Sequence, residues 1–392
     1  MNGIEGKITI DLFPQRAKNE QVKVTSSRPV QASRVLIGKT PEQALSIIPL
    51  LFSICGIAQS HTALSALQKC LGIESNATEV AAHNMLVLIE NAKEHLLRIA
   101  LDWPKLFSLE PDVLKLSYLS QLTGQFRAAL YEQGLAFQLN SVMKEDFNEI
   151  ESLIDSLEMY MQTEIFHRPT NEWLKIDNLE SFIQWAKQGS SPAAYSSRQI
   201  FEQNWAAQGQ STYAPLPQLN NETLIEHFEG LQASHFIAHP QWSGNCYETS
   251  ALARQSSHPL ISALTTEFGS GLLTRWTARL TEVAGIPSQL REYLKLMKSN
   301  ATPSGSQHAK SGLSQTETAR GRLIHHVQMK DGIISDYHIL APTEWNFHPE
   351  GLITQSLANI STEDKQEREK IAHTIINAID PCVDYDLRIH HA

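Results

Sequence analysis

Apolar residues recurring at helical spacing constrain this chain more than any other feature. Met85, Leu86, Leu88, Ile89, Ala92, Leu96 and Leu97 share one face of a 3.6-residue helix, as do Phe147, Ile150, Leu153, Ile154, Leu157 and Met161. Such stripes need other helices to cover them, so a mainly helical body is expected to about residue 165. The Met and Tyr content around Met159 to Met161 is then core packing and no cofactor box. Thr40-Pro41-Glu42 opens a helix, with Thr as N-cap, Pro at the first position and an acid in the first turn. That helix carries Ala44, Leu45, Ile47, Ile48, Leu50 and Leu51 toward Cys55. The apolar stretch from Ala44 to Ala58 is interrupted by Pro49 and Gly56 and falls short of the roughly 20 residues of a bilayer span. A buried helix and no membrane span are expected there.

Strand signals are few. Ile4, Lys7, Ile8, Thr9, Ile10 and Leu12 mix apolar and β-branched residues with polar ones and suit an edge strand or hairpin. Residues 13–32 are polar and expected to be loop. Residues 187–221, rich in Gly, Ser, Gln and Pro, predict an irregular excursion. Residues 257–299 return to helix, and residues 300–318 predict a mobile loop. The clearest β signal follows: Arg322 to Met329 and Ile333 to Ala341 joined by Lys330-Asp331-Gly332, where Asp-Gly is the turn signal. Residues 362–379 are helical again. The expected class is α+β, mainly helical, with small β elements at the N-terminus and at 322–341.

The net charge of −10 and the lack of a long basic run argue against a general nucleic-acid binder. Met1 to Gly6 has neither the cationic head nor the apolar core of a secretory signal. Four cysteines in 392 residues make no disulfide framework, which points to a cytoplasmic protein with reduced thiols. Cys55 and Cys382 have no second Cys two or three residues away, so zinc-ribbon and thioredoxin motifs are absent. Walker, Gly-x-Ser-x-Gly and His-Glu-x-x-His motifs are absent too. His325 and His326 are neighbours on a strand and point to opposite faces. His390-His391-Ala392 is expected to fray. Read from the residues alone, Arg320 pairs with Glu317, and Cys70 and Cys246 are packing residues.

Several segments together resemble the large subunit of nickel–iron hydrogenases. Gly3-Ile4-Glu5-Gly6-Lys7 is similar to that family's Arg-Ile-Glu-Gly-His opening. Cys55-Gly56-Ile57-Ala58 keeps the first thiol of Cys-Gly-x-Cys, and Leu101-Asp102-Trp103 matches the end of a family helix. Ser250-Ala251-Leu252-Ala253-Arg254 follows Gly-Pro-Leu-Ala-Arg, and Glu317-Thr318-Ala319-Arg320-Gly321-Arg322-Leu323 follows Glu-Ala-Pro-Arg-Gly-x-Leu. Ala341-Pro342-Thr343-Glu344-Trp345-Asn346 follows Val-Pro-Thr-Thr-Trp-Asn, and Asp380-Pro381-Cys382-Val383-Asp384-Tyr385 follows Asp-Pro-Cys-x-x-Cys. These matches come in the family's order along one domain spanning 1–392; residues 104–240 form a divergent helical and irregular middle region.

The resemblance implies a hydrogenase large-subunit-like fold that brings Cys382 into the core beside Cys55. It also implies a degenerate metal site. Ala58 and Tyr385 stand where the family's bridging cysteines stand, His61 comes one residue early with Thr62 at the family's His position, and Arg388 takes the C-terminal His or Arg position. Hydrogen turnover and nickel binding are therefore not expected. The pocket for iron's diatomic ligands is kept in part: Arg320, Pro342 and Thr343 match residues beside the cyanides, and Leu323 a neighbour of the carbonyl. Ala319 replaces the family's Pro. Glu5 matches a proton-relay glutamate that here is either that or a structural acceptor.

This pattern resembles the hydrogenase expression/formation (maturation) proteins of the HupK and HoxV type, for which Cys-Gly-x-Ala-Gln is typical. It implies a non-enzymatic scaffold that holds an Fe(CN)2CO unit through Cys55 and Cys382 in transit. The implied partners are the small hydrogenase iron chaperone, other maturation proteins and the apo large subunit. Two further readings stay open: a metal-free docking mimic of the large subunit, and an enzyme using a Cys55 thiolate of depressed pKa.

Overall fold

Strand β1 (Lys7–Leu12) buries Ile8, Ile10 and Leu12 on one face, the alternation that a half-buried strand requires. It occupies the centre of a three-stranded sheet in this computed structural model, which describes residues 6–52, 54–144, 146–299 and 311–390. On one side it pairs antiparallel with β2 (Val22–Ser26), which corrects the expected loop over 13–32. On the other it pairs in parallel with β6 (Asp384–Ile389), a strand the sequence did not announce. The two ends of the chain therefore meet in one sheet, with Ile8 opposite Tyr385 and Leu12 opposite Ile389. His390 is ordered by the same sheet: its ring stacks on Phe13 at 4.5 Å and its Nε2 lies 2.7 Å from Asp11, so it does not fray.

The second sheet holds β3 (Ser311–Thr318), β4 (Gly321–Lys330) and β5 (Ile333–Leu340), all antiparallel. The β4–β5 hairpin forms as expected. Asp331 and Gly332 both take positive φ, 52° and 79°, the two left-handed residues of a tight hairpin turn. Residues 311–318, expected as part of a loop over 300–318, are the edge strand β3; residues 300–310 and Glu5 lie outside the described residues. Strand β3 runs against the helix Gly56–Leu71 so closely that a Cβ on Gly312 would fall 1.9 Å from the carbonyl oxygen of Ala66. Only glycine permits that approach.

Helices make the rest. Thr40 caps α1 (Pro41–Leu51) in a capping box with Gln43. The apolar run does not continue as one helix: α1, with Pro49 inside its last turn, stops at Leu51, and α2 (Gly56–Leu71) starts afresh. Helix α3 (Ala77–Leu97) buries Met85, Leu86, Ile89, Ala92 and Leu96, and the helix Phe147–Tyr160 buries Ile150, Ile154 and Leu157. Residues 257–299 divide at Gly269 into Pro259–Phe268 and Leu272–Lys298. The long helix Leu272–Lys298 packs on α3 through the centre of the core, where Trp276 stacks on Trp103 at 3.7 Å. A regular helix, Pro192–Glu202, interrupts the expected irregular stretch 187–221, capped by Ser191. No helix among the described residues is long and apolar enough to cross a membrane.

His61, His83 and His325 are buried in this core, and burial lowers their pKa values to about 3, 4 and 3. All three are neutral when folded, whereas unfolded histidine takes a proton near pH 6.5. Stability is therefore complete above that value and falls as pH drops toward 4, by up to about 1.4 kcal/mol per pH unit for each histidine. Urea midpoints measured from pH 7.5 to 4.5 should fall steeply, and less steeply in the His325→Gln variant.

Candidate functional site

Cys55 ends the short link between α1 and α2 and stands at the N-cap of α2. Its thiol does not cap the helix. Glu90 of α3 does so instead, with Oε1 accepting from the Ile57 N–H and Oε2 from the Ala58 N–H, both at 2.9 Å. One carboxylate thus satisfies two otherwise orphaned donors at the positive end of the helix. Burial pushes the Glu90 pKa up to about 7, against the opposing pull of those two N–H groups. Gln59, one turn into α2, sets Nε2 3.8 Å from Cys55 Sγ and accepts through Oε1 from His325 Nε2 at 2.8 Å. With Nε2 donating, the neutral ring accepts from the Tyr337 hydroxyl at Nδ1, also at 2.8 Å. A relay of side chains from the second sheet therefore backs Cys55. His326 points the other way, onto Phe228 and Glu229, as two neighbours on a strand should.

Cys382 arrives from the other end of the chain. The helix Lys365–Ile379 stops at Asp380, whose φ of 68° turns the backbone through Pro381 and Cys382 into β6. The Cys382 sulfur receives Arg28 Nη1 at 2.8 Å and touches Thr343 Oγ1 at 3.0 Å. Arg28 also donates through Nε to Glu344 Oε1 at 2.8 Å. Burial alone would lower the Arg28 pKa; Cys382 and Glu344 more than reverse that and keep it charged. Pro342, Thr343 and Glu344 belong to a short helix, Pro342–Asn346, that follows β5.

Arg320 lies in the turn between β3 and β4. It does not pair with Glu317, which instead holds Arg254 and Arg322. Its Nε donates to Asp380 Oδ1 at 3.2 Å and its Nη2 to Glu94 Oε2 at 3.1 Å. Glu317 lies on the edge strand β3 and is only half-buried, whereas Arg320, in the turn, is buried. Asp380 also accepts from Arg98 at 2.9 Å and faces Arg279 at 3.5 Å. Burial by itself would raise the Asp380 pKa; Arg320, Arg98 and Arg279 overturn that and hold it well below the usual carboxylate range.

These elements enclose one pocket. Cys55, Cys382, Arg320, Leu323 and Pro342 all line it, joined by Arg28, Glu90, Glu94 and Glu344. Thr343 stands behind Cys382 and reaches the site through the sulfur. Burial, with Cys382 and Glu90 adding to it and Arg320 opposing, pushes the Cys55 thiol up. That is the opposite of what a nucleophilic cysteine needs. Neither Ala58 nor Tyr385 lines this pocket. Ala58 is fully buried in α2, and Tyr385 is turned into the first sheet with its hydroxyl 2.8 Å from His373 Nδ1. Thr62 bonds to Ala58 O and Thr316 Oγ1. Among the described residues no three His, Cys, Asp or Glu side chains converge to hold a metal. A metal fragment that brings its own ligands and needs two thiols fits this donor set; a bare ion needing three or four protein ligands does not.

Reading the residues had not singled out Arg28, Glu90, Glu94 or Glu344. Glu90 and Glu94 carried a signal: two acids one turn apart beside the apolar stripe of α3, where an uncompensated charge would be costly. Arg28 sits in a polar stretch and carried none.

The family model for nickel-dependent hydrogenase matches residues 120–385. The chain belongs to the nickel-dependent hydrogenase family. Its relatives in that family include the hydrogenase expression/formation protein HoxV of Cupriavidus necator, 28% identical over 92% of this chain and 91% of that one. They also include the hydrogenase expression/formation protein HupK of Azotobacter vinelandii, 27% identical over 99% of both chains. The uptake hydrogenase large subunit of Rhodobacter capsulatus is 26% identical over 41% of this chain and 32% of its own. Among solved structures, an NAD+-reducing NiFe-hydrogenase in the H2-reduced state superposes over 97% of both chains with a TM-score of 0.64 at 15% identity. The Ni-Fe-Se hydrogenase of D. vulgaris Hildenborough superposes over 92% of both, also at 0.64 and 15%. The fold is thus that of the hydrogenase large subunits, as the resemblance implied.

Proposed function

We propose that this chain is a non-catalytic hydrogenase maturation scaffold, acting in the cytoplasm, that transiently holds an Fe(CN)2CO unit and passes it to the apo hydrogenase large subunit. The observation that carries this reading is the meeting of two thiols, Cys55 and Cys382, with the fixed guanidinium of Arg320 on one pocket. Thiolates are soft ligands suited to such iron. A cyanide nitrogen is an acceptor, and a guanidinium held from behind by Glu94 and Asp380 is a pre-aimed, charge-assisted donor. Leu323 and Pro342 supply apolar wall for a carbonyl, and Thr343 orients Cys382. Two protein ligands hold such a unit less firmly than four, which suits delivery over storage. The names of the full-length relatives support the maturation role. The partners in this reading are the small hydrogenase iron chaperone, other maturation proteins and the large subunit.

Infrared spectroscopy of protein purified without oxygen from cells making the iron-assembly proteins tests this directly. Cyanide and carbonyl stretches are expected in the wild type and complete loss in Cys55→Ala. A silent spectral window in the wild type would overturn the reading. One observation favours a second reading, a metal-free docking mimic of the large subunit that positions maturation chaperones: Cys382 is already bonded to Arg28 and Thr343. In that case the double variant Cys55→Ala, Cys382→Ala leaves hydrogenase assembly intact.

A further inference from the structure

The pocket contains a second guanidinium whose position the two thiols do not by themselves require. Arg28 spans Cys382 and Glu344, at 2.8 Å from each. Its backbone is fixed independently of the pocket. Gly6 has a φ of +74°, and a Cβ there would lie 2.6 Å from Arg28 Cα and 2.8 Å from Arg28 N. The chain at Ser27–Arg28 therefore rests directly on a glycine, which sets the Arg28 side chain against the sulfur. The other oxygen of Glu344, Oε2, is buried and has no hydrogen-bond partner among the described residues. Arg320, anchored by Glu94 and Asp380, lines the same pocket.

Thiol, thiol and carboxylate are the groups that zinc, cobalt and nickel ions take as ligands. Cys55, Cys382 and Glu344 line one pocket, yet no three such groups converge on a point. Between Cys382 and Glu344 the reason is plain, since Arg28 occupies the place that a bridging dication would take. A bare ion entering there must break both bonds of Arg28 and then lie beside a displaced positive charge. A metal fragment whose outer atoms accept hydrogen bonds meets the same guanidiniums as donors.

We propose that Arg28 is a specificity-determining residue, which excludes bare divalent cations from the two-thiol pocket and admits a metal fragment carrying its own anionic, hydrogen-bond-accepting ligands. The admission half rests on the function proposed above; the exclusion half is a property of the protein alone. Reduced full-length protein is titrated anaerobically with Co2+, read by thiolate-to-cobalt charge-transfer absorption and by metal content after desalting. The wild type is expected to show no stoichiometric thiolate–cobalt band, and Arg28→Met to bind Co2+ about tenfold or more tightly, as removal of a charge at contact distance implies. Arg28→Lys keeps the charge and should stay near wild type. Adding Cys382→Ala to Arg28→Met should abolish the band. If Arg28→Met loses its cooperative melting transition, Arg28→Gln takes its place. Wild type binding Co2+ through its thiols as tightly as the uncharged variant would overturn the proposal, as would Arg28→Lys behaving like Arg28→Met. Missing cyanide and carbonyl bands with cobalt still excluded would sink the cargo reading and leave the exclusion standing.

Discussion

Asp380→Ala is expected to destabilise the protein by about 3–5 kcal/mol, the usual cost of removing one member of a buried charge network. Asp380 is 2% exposed and accepts from Arg98 and Arg320, with Arg279 at 3.5 Å. Glu94 and Asp102 are the other acids of this cluster, holding Arg320 and Arg98. Three guanidiniums thus face three carboxylates, and removing Asp380 strands one cation in the core. The substitution also affects the backbone, because Asp380 adopts a left-handed φ that alanine tolerates less well than aspartate or asparagine. Asp380→Asn separates the two effects, keeping the turn and removing the charge. Chemical denaturation of both variants checks this, with Asn expected to lie between wild type and Ala. A loss below about 1 kcal/mol for Ala would show that water or rearranged side chains already compensate the arginines. The site should suffer with the fold, since Asp380 orients Arg320 directly and precedes Cys382 by two residues.

Glu90→Ala is expected to cost about 2–6 kcal/mol, because two buried N–H groups, those of Ile57 and Ala58, lose their acceptor at about 1–3 kcal/mol each. Glu90→Gln retains one acceptor oxygen and should cost about half as much. The Cys55 segment has little else to hold it, as the thiol gives no cap and Gln59 reaches it at a long 3.8 Å. The rate at which a thiol reagent modifies Cys55, measured in a Cys70→Ser, Cys246→Ser background with Cys382 also replaced, should therefore rise in Glu90→Ala. An unchanged rate would mean that the α1–α2 junction is held by packing alone.

Much of this protein follows from local sequence. Helical stripes, the Thr40 capping box and the Asp331-Gly332 turn each depend on residues a few positions apart, and they form where those residues stand. Cys55 and Cys382 were equally legible as candidates, because identity at a motif position needs no geometry, and folding brings both to one pocket. Strands β2, β3 and β6 were not legible, since Ser311–Thr318 and Asp384–Ile389 are polar or mixed segments made into strands by the partners they find. The partners of Arg320 were missed for the same reason. Glu317 was near in sequence, but Asp380 and Glu94 were near in space and buried with it, where an ion pair is worth far more than at an exposed edge. Sequence alone therefore determined the class of fold, the family and the two thiols. Only the tertiary structure decided what surrounds those thiols: Arg28 follows β2, Glu90 and Glu94 share α3, and Asp380 ends the helix Lys365–Ile379, and their charges acquire a role only where folding excludes water around them.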